Sequence, residues 1–231
     1  MTTTSRAAFN RTLDEIRDSL LRIGALADQA LERAMDALAQ KDQDKARQVV
    51  EGDDQINQLR FQVEDGCLAL IARQQPAAGD LRKIVAALNI VLDLERIGDY
   101  AAGIAKTCLR LNAEAASPDV PDDLWRMAQM SRSMLELVLE AYARSDEAAA
   151  ESIAARDEEI DEQYQVLFSR LMNEMSEGSW QSAPLLYFLF AGHNLERVAD
   201  RVTNIAERVV FMSRGTFTEL NTEQEEPAGL E

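Results

Sequence analysis

Two stretches, LERIGDYAAGIA from Leu94 and LERVADRVTNIA from Leu195, each set a Glu and an Asp four residues apart: Glu95 with Asp99, and Glu196 with Asp200. A second set, Asp53 with Asn57 and Asp157 with Asp161, has the same spacing. Groups four residues apart share one face of an α-helix. Like charges at that spacing cost an isolated helix about 0.2–0.5 kcal/mol, which a salt bridge or a bound cation offsets. Oxygen ligands from two neighbouring helices suit hard cations, and also iron or manganese. The competing explanation is a solvated helix face answered by arginine: Arg96 beside the first pair, and Arg197, Arg201 and Arg208 beside the second. Spacing alone leaves both open, while recurrence of the pairs raises the weight of a cation site.

Helices must position these groups. Ala, Leu, Glu, Gln, Arg and Asp dominate, and only five prolines interrupt 231 residues, so almost every segment reads as helix. Six are expected: Ala7 to Gln40, a second ending at the QQPAAG break, a third capped by Asp80 and running to Leu111, then Asp122 to Arg144, Ala148 to Glu177, and a last to Ser213. Leu13, Ile16, Leu20, Ile23, Ala27, Leu31 and Met35 mark an apolar stripe on the first. On the third, Ile90, Leu94, Ile97, Ala101, Ile104 and Cys108 form the stripe, and Glu95 and Asp99 project from roughly the opposite side. On the last, Leu195, Val198, Val202, Ile205 and Val209 do the same opposite Glu196, Asp200, Asn204 and Glu207. KDQDKARQVVEGDDQIN at Lys41 aligns without gaps to SDEAAAESIAARDEEID at Ser145, placing Asp53 and Asn57 opposite Asp157 and Asp161. The chain therefore reads as all-α, a duplicated three-helix unit: 1–116, 117–214, and an acidic tail over 215–231 expected to be disordered.

Composition narrows the function. A formal charge of -17 with scattered Lys and Arg excludes nucleic acid as a direct partner. No leader-like or membrane-spanning stretch occurs, which predicts a cytoplasmic protein with no direct membrane insertion. Cys67 and Cys108 read as buried thiols. His193, the lone histidine, has Leu92 as its counterpart and reads as a surface group; Met127, Met130, Met134 and Met172 read as core filling, and Trp125 and Trp180 as packing at helix starts. Interior di-iron chemistry needs paired Glu-x-x-His motifs, which one histidine cannot supply. With no phosphate loop or nucleophile motif either, catalytic residues are not expected.

LERIGD and LERVAD, with RQQPAAGDLRKIVAALNI ahead of the first and NIAERVVF behind the second, resemble the PhoU family of phosphate-signalling proteins across essentially the whole chain. The resemblance implies two pseudo-repeated three-helix bundles. It implies multinuclear metal clusters, of iron or of Zn, Mn or Mg, at Glu95, Asp99, Glu196 and Asp200, with Asp53, Asn57, Asp157 and Asp161 as the acidic positions of the second helix in each unit. It also implies a cytoplasmic adaptor that represses the phosphate-starvation response, meeting the ATPase subunit of the phosphate ABC transporter and the membrane sensor histidine kinase, and self-associating as a homodimer. The alternative is a metal-binding helical scaffold without a transcriptional role. Gly103 where the second copy has Asn204, and neutral Asn57 where it has Asp161, predict a tighter second site.

Overall fold

Two turns reveal the plan. In each, a residue in the left-handed region ends one helix, Lys41 at φ 55° or Ser145 at φ 53°. The next amide returns to a carbonyl of that helix, Asp42 to Ala37 and Asp146 to Ala141, both at 2.9 Å. The same aspartate then caps the following helix, accepting from the Lys45 amide at 2.9 Å and the Ala149 amide at 3.0 Å. These are matched positions of the ungapped alignment, so the duplication extends to the backbone.

The computed structural model describes residues 3–111, 118–178 and 182–220. Among them lie seven helices and no strand: α1 (Thr3–Gln40), α2 (Gln43–Gln74), α3 (Ala78–Arg110), α4 (Asp122–Arg144), α5 (Glu147–Ala154), α6 (Asp157–Ser176) and α7 (Ser182–Arg214). α3 and α7 pack on each other at the centre; α1 and α2 cover α3, while α4, α5 and α6 cover α7. The expected stripes are buried, and only Leu13 is partly exposed. The junction at 112–117 and Trp180 lie outside the described residues.

The structure departs from the sequence expectation in several places. The fifth expected helix is broken at 155–156, where the Arg156 amide reaches only Ile153 O at 3.0 Å, and α6 restarts with Asp157, Glu158 and Glu159 in its first turn, where negative charge meets the positive helix end. Asp80 does not cap α3; it lies within the first turn, paired with Arg6. Met172 is exposed. Over 215–220 the expected tail folds back, with Phe217 stacked on Phe211 at 4.1 Å and the Leu220 amide donating to Glu207 at 3.1 Å; 221–231 lies outside the described residues.

Candidate functional site

The acid face of α3 is not left to solvent. α3 meets α1, α2 and α7, so the face opposite its main stripe is also covered and Glu95 is buried, at 9% exposure. Gly98 permits this: a Cβ there would lie 2.8 Å from Ile56 Cδ1 and 3.1 Å from Asp53 Oδ1, so α2 comes close and brings Asp53 to the acid face of α3. Burial raises the carboxyl pKa of both Asp53 and Glu95, and the charge of Asp99 adds to each shift.

Cations and an amide answer these acids. Arg96 lies 2.7 Å from Asp99 and 3.5 Å from Glu95, Arg60 lies 3.8 Å from Glu95, and Asn57 Nδ2 donates to Asp53 Oδ2 at 3.0 Å. The structure thus gathers Asp53, Asn57, Glu95 and Asp99 into one cluster. Arg60 was not legible as a member, because its sequence signal is an ordinary spacing-of-four pair with Glu64.

The second cluster differs. Glu196 is the half-buried member; burial raises its pKa, as do the charges of Asp200 and Asp161, while His193 opposes the shift. His193 Nδ1 stands 3.0 Å from Glu196 Oε2, and its ring lies 6.0 Å from that of Tyr164 on α6. His193 is exposed, as expected of a surface group, and it stands beside this cluster. Asp161 is exposed, whereas Asp157, at the start of α6, is buried at 6%.

Between the clusters, α3 and α7 cross with an unexpected polar contact. Asp93, two residues before Glu95, receives Arg201 and Asn204 at 3.4 Å each. Burial raises its pKa; the Asn204 hydrogen bond and the Arg201 charge pull it back. The pseudo-symmetric counterpart of Asp93 is Asn194, which faces Gly103 and donates to Phe190 O at 2.7 Å. Arg197 lies over the Tyr100 ring, 4.6 Å from its centroid. The signal for Asp93 was present: it sits one residue before each repeated LER, where both copies carry a polar group.

For a cation, the donor chemistry fits. The ligands are carboxylates, and the buried Asp53 Oδ1 has no hydrogen-bond partner, an acceptor that an ion would satisfy. Among the described residues, however, no three acidic, His or Cys side chains are gathered as a ready-made site. In the first half Arg60 and Arg96 hold the carboxylates, so an ion must displace guanidinium groups there. No described helix is long and apolar enough to cross a membrane.

Known proteins share this sequence and architecture over 90–94% of the chain. A family model described as PhoU domain matches residues 20–108 and 124–209. A phosphate-specific transport system accessory protein PhoU homolog of Clostridium acetobutylicum is 36% identical, over 94% of this chain and 99% of its own; the PhoU accessory protein of Escherichia coli is 33% identical, over 90% and 86%. The crystal structure of PhoU from Pseudomonas aeruginosa superposes with a TM-score of 0.86 at 36% identity, covering 90% of this chain and 100% of that one. That of the Streptococcus pneumoniae phosphate transport system regulatory protein gives 0.85 at 33%, covering 91% and 99%.

Proposed function

Because this chain belongs to the PhoU domain family, we propose that it is a cytoplasmic regulatory adaptor of phosphate uptake, which holds the phosphate-starvation response off when phosphate is plentiful. The observation that carries this reading is similarity over 90–94% of the chain to accessory proteins of the phosphate-specific transport system. The adaptor works by binding rather than catalysis. Its partners are the ATPase subunit of the phosphate ABC transporter and the membrane sensor histidine kinase of the response, and it acts as a homodimer. Unequal affinity for the two states of the transporter lets it pass transport state to the kinase, since a bound partner shifts an equilibrium only by its differential affinity.

The acid clusters belong to this reading as cation sites. Glu95, Asp99, Asp53 and Asn57 would hold one ion or cluster, and Glu196, Asp200, Asp157 and Asp161 the other, with iron, zinc, manganese or magnesium as the candidates. A bound cation supplies positive charge that neutralises an acidic face and ties the second helix of each unit to its third. The chain's own contribution is orientation: Gly98 admits Asp53 to the first cluster, and His193 stands 3.0 Å from Glu196 in the second.

The test is alkaline phosphatase activity in phosphate-rich medium, in a deletion strain, its parent and a strain rescued with the intact gene. High activity only in the deletion strain is the expected result. Equal activity in all three contradicts repression.

A further inference from the structure

The hairpin of α6 and α7 carries apolar side chains that the fold does not use. Phe168 and Met172 on α6 are 42% and 44% exposed, and Leu186 and Phe190 on α7 are 46% and 47% exposed. Gly192 sets the register of the two helices, since a Cβ there would lie 2.6 Å from Leu167 Cδ2 and 3.3 Å from Tyr164 Cδ2. Running antiparallel from that point, the helices bring Phe168 level with Phe190 and Met172 level with Leu186. Single exposed apolar residues are ordinary, but a cluster of four large ones on neighbouring helices marks an interaction surface.

The first half serves as an internal control. At the matched positions it has Glu64, Leu68, Val85 and Asn89. Glu64 pairs with Arg60 at 3.0 Å, and Asn89 donates to Val85 O at 2.7 Å. The first half exposes Phe61 and Leu68 on α2 and Leu92 on α3 instead, but polar Glu64 and Asn89 stand where the second half has Phe168 and Phe190, so packing of the repeat does not require that pair of phenylalanines.

Charge identifies the occupant. Outside the candidate cation site, Glu162 precedes Phe168 on α6, and Glu174 and Glu177 follow Met172. Arg170, the basic residue within α6, is engaged with Asp123 at 2.8 Å and Glu174 at 3.6 Å. We propose that this face docks an amphipathic helix of another protein, its apolar side chains seated between α6 and α7 and its lysines or arginines meeting the acidic rim. A second copy docked at this same face would set one acidic rim against another, which leaves self-association to other surfaces, and an anionic membrane would be repelled by the rim in the same way. The surface stands independently of the phosphate reading, because its test uses only purified protein.

The probe is a fluorescein-labelled 18-residue amphipathic peptide of leucine and lysine, with a leucine and glutamate version as control, followed by fluorescence anisotropy at physiological salt. The double variant Phe168→Glu with Phe190→Asn installs first-half residues at exposed positions, and circular dichroism verifies its fold. It is expected to weaken the leucine–lysine peptide tenfold or more, although Phe168→Glu adds a negative charge that would by itself favour lysine. Phe61→Ala with Leu68→Ala in the first half is expected to change binding less than twofold, and the glutamate peptide is expected not to bind. Equal affinity in all proteins, or equal loss in both double variants, overturns the proposal. So does concentration-dependent dimerisation, or partition onto phosphatidylcholine–phosphatidylglycerol vesicles, that the Phe168/Phe190 variant abolishes.

Discussion

In the first half, Glu95 and Asp99 share Arg96, Arg60 reaches Glu95 from α2, and the second-helix partner is the Asp53–Asn57 pair. In the second half Glu196 faces an imidazole, and the position of Asn57 is taken by the exposed acid Asp161. Duplication kept the carboxylates in place and changed what answers them. A guanidinium stays charged and competes with a cation at every working pH, whereas an imidazole is itself a metal ligand. The halves therefore share a scaffold while offering a cation different terms, and under the proposed cation reading the second, where an imidazole rather than two guanidiniums stands beside the glutamate, would be the stronger.

The crossing between the clusters should show the largest asymmetry in stability. Asp93→Ala strips Arg201 and Asn204 of their shared acceptor and is expected to cost about 2 kcal/mol, the scale of leaving buried polar groups unsatisfied, whereas Asn194→Ala should cost less than about 1 kcal/mol. Urea denaturation of the two variants checks this, and equal losses would mean that the crossing is symmetric in energy. Arg96→Ala comes next. Its guanidinium is 58% exposed, so the loss is expected at about 0.5–1 kcal/mol. Added Mn2+ should recover it if a cation can take the arginine's place; a melting temperature indifferent to Mn2+ would count against that. Smaller still, His193→Leu puts the first-half residue into the second half and should shift stability by less than about 0.5 kcal/mol in a thermal melt, a larger loss making His193 structural.

Smallest is the thiol reactivity of the native protein. Burial, with the charge of Glu64, pushes the Cys67 thiol up to about 12, and burial, with Asp42, raises Cys108. Because a raised thiol pKa keeps the thiolate scarce until the pH approaches it, neither cysteine should react with a disulfide reagent at pH 8 until the protein is denatured. Rapid reaction of native protein would show that α2 or α3 opens.

Much of this architecture was legible because it rests on local rules. The stripe from Ile16 to Met35, the turns around Asp42 and Asp146, and the span Asp122 to Arg144 follow from periodicity and capping. The break before Asp157 was not, since no Pro or Gly marks it, while Gly52 at the matched position in α2 leaves that helix continuous. Three acids in succession were the only trace. Among the site residues, spacing identified the carboxylates but not their surroundings. Burial of Glu95 depends on how closely α2 crosses α3 at Gly98, and the roles of Arg60, Asp93 and Arg201 depend on contacts between distant segments. Sequence periodicity assigns a side chain to a face, and only the packing decides whether that face meets water or another helix.

The most direct test of unequal cation sites is to count bound Mn2+ by the electron paramagnetic resonance of the free ion, in chelator-stripped protein, for the wild type, Glu95→Gln with Asp99→Asn, and Glu196→Gln with Asp200→Asn. The account predicts two classes of site, the tighter lost in the Glu196/Asp200 variant and the weaker in the Glu95/Asp99 variant. No binding below millimolar Mn2+, or titrations that match the wild type in both variants, would contradict it.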